Sequence, residues 1–303
     1  MPPRDVLVAA VLEFLTGQDL LTMDDIRAAL ERELDDAGPE ALLALKAQLT
    51  TDLGWAYYPR DPLAQRIHHV LANRFLTPDS QVTGAARLAA IAGAPAIIFS
   101  NHLSYADANV IEVLLQRSGD TALANRLTAI AGPKVFTSRE RRFSSLCFGT
   151  IKVPQSTEVA SGDAALNPRE VAKAARRAIE IASERLRAGD ALLLFAEGTR
   201  SRSGAMQRFL PGVARYLAVP DTWILPVGLI GSEQLFPVGN ATIRPARAEL
   251  HIGPPVRAGE LLAGAKGDRR IVMDAIGAAV AALLPASYRG VYATRDSTTD
   301  VSR

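Results

Sequence analysis

The chain has 303 residues, 48% of them hydrophobic and 22% charged, with a formal net charge of +2. That length and balance suit one large α/β domain with a small appendage, and supply ample material for a core. The small net charge, with no recognised reading motif, speaks against a nucleic-acid partner. The single cysteine, Cys147, excludes a disulfide framework within the chain and fits a reducing compartment.

In the opening stretch, MPPRDVLVAAVLEFL, Glu13 interrupts the apolar run and no small-residue cleavage site follows. No signal peptide is expected. No uninterrupted run of about eighteen apolar residues occurs, so no transmembrane helix is expected and the protein should be soluble or peripheral. The first 75 residues read as helical. Thr22-Met23-Asp24-Asp25 resembles a capping box before Ile26, Leu30 and Leu34 at helical spacing. Gly38-Pro39 restarts a helix with Leu42, Leu43, Leu45 and Leu49, which Gly54 ends, and Pro62 to Phe75 gives a third. The first sixty residues hold eleven acidic and five basic side chains, net −6, leaving +8 on the remainder. That split argues against an electrostatic membrane anchor there. The expected organisation is a helical domain over 1–78, an α/β domain over 79–290 and a disordered tail over 291–303. His68 and His69 lack further ligands at helical spacing, so they read as surface or interface histidines.

Ala96 to Phe99, entered through Pro95 and carrying Ile97 and Ile98, reads as a short buried strand. It breaks into Asn101-His102-Leu103-Ser104-Tyr105-Ala106-Asp107, which places Asn101 and His102 at a strand end. Ser104 or Asp107 could cap the following helix. A histidine with a carboxylate five residues later can share a cleft, the imidazole accepting a proton and the carboxylate orienting it. The chain has no G-x-S-x-G elbow, and Cys147 has no histidine beside it in sequence. Such a base would therefore act on a hydroxyl belonging to a substrate.

Further on, Lys134 to Arg142 is charge-dense and reads as a solvated helix face. Asn167-Pro168-Arg169-Glu170 opens a helix running to Arg187, stopped by Gly189, with Val171, Ala174, Ala178, Ile179, Ala182 and Leu186 toward the sheet. It feeds a second buried strand, Leu192 to Phe195, that ends in Glu197-Gly198-Thr199-Arg200. Open α/β sheets place ligands at such strand ends. Gly198 allows a tight turn, Glu197 can accept from ligand hydroxyls, and Arg200 offers a fork for phosphate or carboxylate. By themselves these residues fit a surface Glu–Arg pair equally well. Phe209 to Leu217 suggests a helix, Trp223 to Ile230 and Ala248 to Gly253 two strands, and 257–284 a helix in its second half. His251, alternating with apolar neighbours, reads as structural.

Together, NHLSYAD and the later FAEGTRS resemble the glycerolipid acyltransferase family (PlsC-type, lysophosphatidic acid acyltransferase-like). The resemblance runs from Val82 to Val256 and includes VTGAARL, GTIKV, WILPVGLIG with Pro226, and ELHIGPPV. It implies an acyltransferase-type α/β fold with a mixed, largely parallel sheet flanked by helices. His102 would be the general base that deprotonates an acceptor hydroxyl for attack on an acyl thioester, and Asp107 would orient it. Glu197, Gly198, Thr199 and Arg200 would help hold the acceptor, with Asn101 and Ser104 as further candidates. No covalent acyl-enzyme, metal or cofactor is implied beyond acyl-CoA or acyl carrier protein as co-substrate.

The segment matching the family's middle motif is Gly149-Thr150-Ile151-Lys152-Val153-Pro154-Gln155, with Pro154 and Gln155 where Asp and a phosphate-binding Arg are expected. Lys152, or Arg139, Arg141 and Arg142 upstream, could supply that charge. The favoured acceptor is 1-acylglycerol-3-phosphate, followed by glycerol 3-phosphate and then a non-phosphorylated alcohol. A lipid-binding module without turnover is the rival from another class. The implied place is the cytoplasm, with peripheral contact at the cytoplasmic membrane face.

Overall fold

The computed structural model describes residues 4–6, 8, 24–154, 167–219, 221–237 and 243–293. Thr22 of the expected capping box, Gln155, and the tail from Thr294 lie outside the described residues. In chain order the elements are α1 (Asp24–Asp36), α2 (Pro39–Thr50), β1 (Tyr57–Tyr58), α3 (Pro62–Phe75), β2 (Gln81–Thr83) and β3 (Ala96–Ser100). There follow α4 (Asp107–Arg117), α5 (Thr121–Ala124), β4 (Leu127–Ala131), α6 (Arg139–Ser144), β5 (Gly149–Lys152), α7 (Pro168–Arg187) and β6 (Ala191–Leu194). The last are β7 (Trp223–Ile230), α8 (Ser232–Leu235), β8 (Glu249–Ile252), β9 (Val256–Arg257), α9 (Ala258–Gly264) and α10 (Arg269–Ala281).

The strands join one mixed sheet in the order β1-β5-β4-β6-β3-β7-β8-β2, with β9 also on β7. The five central strands β5, β4, β6, β3 and β7 are mutually parallel, while β1 and β8 run antiparallel to their inner neighbours. A largely parallel sheet flanked by helices is therefore what the chain forms. The central strands β3, β5, β6 and β7 are buried on both faces along most of their length, as apolar runs require. Side chains alternate: Ala96 and Ile98 of β3 enter one core, Ile97 and Phe99 the other. The first core is closed by α1 to α4, and the second by α7 and α10. Pro226, with no N–H to donate, sits in β7 where β8 has ended and β9 has not begun, a position that spares the ladder a missing bond.

The crossover helix α7 starts as its sequence dictates. The Asn167 side chain accepts from the Arg169 and Glu170 N–H groups, and the Glu170 carboxylate accepts from the Asn167 N–H, all at 3.0 Å. Its buried stripe is Ala174, Ala178, Ile181, Ala182 and Leu186, so Ile181 takes the place expected of Ile179. The expected helix at 209–217 is instead a run of 3-10 turns, Pro211–Ala218. Pro211 lacks an N–H, Leu210 is held by its own N–H on the Ala196 carbonyl at 2.8 Å, and Val213 closes an i→i+3 turn at 3.0 Å.

The N-terminal helices share the first core with the sheet: Leu30, Leu42 and Ile67 belong to the same buried cluster as Ile98 and Leu193. Polar contacts fix them further. Asp61 caps α3 by accepting the Leu63 and Ala64 N–H groups at 2.9 Å. The Arg142 guanidinium donates to the Gln48 and Thr51 carbonyls at the end of α2, at 2.7 and 2.6 Å. Glu112, fully buried on α4, accepts from Gln65 at 2.8 Å and Gln116 at 3.1 Å, and lies 3.0 Å from His69. Burial pushes His68 beside it down to about 4. Both histidines thus face an interface between α3 and α4. Among the described residues no cluster of three metal-ligating side chains forms. A division at residue 78 is kept as our proposal, with α1 to α3 as the helical part and β1 as its link to the sheet.

Because Ile67 is fully buried in the shared core, Ile67→Ala should cost roughly 2–5 kcal/mol. Urea unfolding followed by circular dichroism and tryptophan emission should give one transition, with both midpoints lowered together. A lowered helical signal with an unmoved sheet transition would contradict the shared core.

Candidate active site

The parallel strands β3 and β6 are neighbours, and both end at the same sheet edge. β3 delivers Asn101 and His102, and β6 delivers Phe195 and then Glu197. As β3 leaves the sheet, the Asn101 side chain replaces a ladder step: its amide donates to the Leu229 carbonyl and its carbonyl accepts the Leu229 N–H, both at 2.8 Å. Asn101 is fully buried. This places it in the scaffold rather than in the cleft.

His102 Nδ1 lies 2.8 Å from Asp107 Oδ2. The same carboxylate accepts the Leu103 N–H at 2.6 Å and the Ser104 N–H at 2.9 Å, so the loop folds back on the acid that begins α4. Asp107 is therefore spent on the loop rather than on capping its own helix. Its other oxygen accepts the Ser232 hydroxyl at 2.6 Å. Ser232 is brought there by Gly231, whose φ of 87° and close approach to the Arg247 carbonyl leave no room for a Cβ. Ser104 is fully buried and donates to the Phe236 carbonyl at 3.0 Å, tying the histidine loop to the segment after β7. With Nδ1 engaged by Asp107, Nε2 is the ring nitrogen without a hydrogen-bond partner among the described residues. One ring face is covered by Phe195, stacked at 4.3 Å with 19° between planes.

Glu197 holds the two loops together. Its Oε1 accepts the His102 N–H at 2.8 Å, and its Oε2 the Gln207 N–H at 2.7 Å. The return bond runs from the Ser201 N–H to the His102 carbonyl at 2.7 Å. Burial pushes the Glu197 carboxyl up, and the two N–H donors offset this only in part. Its oxygens are engaged by backbone, which sets it apart from the exposed Gly198 and Thr199 at the lip. Gly198 has φ of 75°, and a Cβ there would lie 2.6 Å from Leu210.

Arg200 stands over the Tyr105 ring, 3.4 Å from its centroid, and Arg141 lies 4.0 Å from the same centroid. Lys152 is elsewhere. Its ammonium pairs with Asp52 at 3.0 Å and faces Trp55 and Phe136. Three strand spacings, roughly 14 Å, separate β5 from β3. Of the upstream arginines, the Arg139 side chain lies outside the described ones, Arg142 is buried under the end of α2, and Arg141 reaches the Tyr105 side. Cys147 is buried, its thiol pushed up by that burial, and bonds the Ala64 and Phe143 carbonyls. Sequence reasoning missed Ser232, Phe195 and Tyr105. Tyr105 and Phe195, each sitting inside one of the two motifs, offered a signal, and Ser232 did not.

No curated protein sequence matches the chain. The crystal structure of the 1-acyl-sn-glycerophosphate (LPA) acyltransferase PlsC from Thermotoga maritima is similar at 20% identity, over 90% of this chain and 95% of that one, with a TM-score of 0.47. A family model described as Acyltransferase matches residues 79–230, half of the chain and the span that carries both β3 and β6 loops. The chain belongs to the acyltransferase family.

Proposed function

We propose that the protein transfers a fatty acyl group from an acyl thioester, carried by CoA or acyl carrier protein, to the hydroxyl of a glycerol-phosphate lipid precursor. 1-Acylglycerol-3-phosphate is the favoured acceptor. The observation that carries this reading is the His102–Asp107 contact at 2.8 Å, with Asp107 fully buried and bonded on both oxygens. In this reading the neutral imidazole takes the hydroxyl proton at Nε2 as the oxygen attacks the thioester carbonyl. The Asp107 carboxylate stabilises the imidazolium that forms. Collapse of the tetrahedral intermediate forms the ester, breaks the C–S bond, and the departing thiolate takes the proton back. Both substrates must be bound together, so proximity contributes alongside base catalysis. Arg200, beside His102 through the Ser201 bond, is the cation for the acceptor's phosphate.

Among the described residues no helix is long and apolar enough to cross a membrane. We place the protein in the cytoplasm, reaching its lipid acceptor by peripheral contact.

Thiol release from palmitoyl-CoA should depend on added lysophosphatidic acid, and exceed that with glycerol 3-phosphate or with no acceptor. Release only with glycerol 3-phosphate would assign the first acylation step instead, and equal release without acceptor would indicate hydrolysis. His102→Ala should lower turnover at least about a hundredfold while the circular dichroism spectrum stays unchanged. Retained activity would sink the mechanism. Ser232→Ala removes a bond to a charged carboxylate of about 1.5 kcal/mol, so kcat should fall about tenfold with acceptor KM little changed. A rise confined to KM would place Ser232 in binding rather than in orienting Asp107.

A further inference from the structure

We infer that Tyr288 is a positioning residue for the candidate active site, its hydroxyl gripping the turn that presents Ser232 to Asp107 and its carbonyl holding the loop of Glu197. The turn needs such a grip. Helix α8 has four residues, too few to hold a place by its own hydrogen bonds, and it follows Gly231 at a φ of 87°. The Tyr288 phenol accepts the Gly231 N–H and donates to Glu233 Oε1 at 2.6 Å. Residues 231 and 233 flank Ser232, whose hydroxyl lies 2.6 Å from Asp107. One phenol oxygen therefore holds both neighbours of the residue that bonds the carboxylate.

The surroundings of the phenol set which group donates. Burial and the Glu233 carboxylate push its pKa up, so the proton stays on the oxygen and points to Glu233. Glu233 Oε2 is buried without a partner among the described residues, which leaves the phenol carrying that carboxylate's contact. The other carboxylate acting on the phenol, Glu249, is taken by Arg247 at 2.9 Å and by His251 at 3.1 Å. Without the hydroxyl, Glu233 is left partly buried and unpaired, and turns toward water, drawing the start of α8 with it.

The backbone of the same segment reaches the second loop. The Met206 N–H donates to the Tyr288 carbonyl at 2.8 Å, and the Val291 N–H returns to the Met206 carbonyl at 3.2 Å. A Cβ on Gly290, whose φ is 52°, would run into that carbonyl, so the segment lies close against Met206. Gln207, the next residue, gives its N–H to Glu197 at 2.7 Å. The Tyr292 hydroxyl accepts the Phe209 N–H at 2.9 Å. Residues 286–292 thus brace both loops that fix His102, from a part of the chain that carries none of the motif residues. This deepens the proposed reaction and rests on it only for the turnover readout, because the imidazole can be observed without substrate.

Proton NMR of the full chain without substrate should show the His102 Nδ1–H resonance, assigned by its loss in His102→Ala. Tyr288→Phe and Glu233→Leu should each shift or broaden it, while the His68 and His69 signals stay in place. Glu233→Gln, whose amide carbonyl still accepts from the phenol, should leave it unmoved. In turnover, Tyr288→Phe should lower kcat about fivefold with acceptor KM unchanged, and adding Ser232→Ala should bring the total to about tenfold rather than about fiftyfold. Unchanged urea midpoints establish that the variants are folded, and Glu233→Leu serves as the readout where Tyr288→Phe is not. An unmoved His102 resonance, a shift shared by His68 and His69, a loss confined to KM, or losses that multiply overturn the inference. A shift confined to His102 supports it, even in a chain that acylates no acceptor and for which the proposed reaction fails.

Discussion

Two loops from adjacent parallel strands meet because one buried carboxylate holds both. Glu197 accepts the His102 N–H with one oxygen and the Gln207 N–H with the other, and the Ser201 N–H closes the ring onto the His102 carbonyl. Burial alone would raise the cost of that charge, and backbone donors on both oxygens are what the interior requires of it. The imidazole inherits its backbone position from this clamp. The polar tip of the same loop, Gly198 and Thr199, stays exposed while the glutamate is drawn inward.

From that fixed backbone the side chain is aimed by three further contacts. Asp107 engages Nδ1, Ser232 engages Asp107, and Phe195 covers one ring face. They come from α4, from the start of α8 just after β7, and from the residue following β6. The imidazole is thus held by elements on both sides of its own strand. Asn101 completes the arrangement by replacing a backbone step with its amide, so β3 can leave the sheet without stranding the Leu229 peptide groups.

The fold class and the pairing of His102 with Asp107 at a strand end were legible in the sequence because their signals are local. Strands β3 and β6 are short apolar runs ending in polar residues, and the Asn-Pro-x-Glu start of α7 is a capping motif within four residues. The roles of Asn101, Ser104 and Glu197 were not legible, because a polar residue at a strand end looks alike whether it meets ligand or backbone. Their partners Leu229, Phe236 and His102 lie far off in sequence. Lys152 drew attention by its place in the middle motif, but its partner Asp52 comes from the N-terminal segment, through the β1–β5 pairing. Ser232 follows a glycine whose positive φ no sequence pattern announces. The 3-10 turns at 211–218 reflect a tether on Leu210 that overrides helical spacing.

The central claim is that the imidazole activates the substrate's hydroxyl and that no side chain of the chain carries the acyl group. Intact-mass measurement tests it most directly. The protein is mixed with palmitoyl-CoA without acceptor, quenched and weighed, then mixed again with lysophosphatidic acid present. The account predicts unmodified protein in both samples, with free thiol and acylated acceptor only in the second. Protein heavier by one palmitoyl group, chased off by the acceptor, would contradict it and identify a nucleophile of the chain's own.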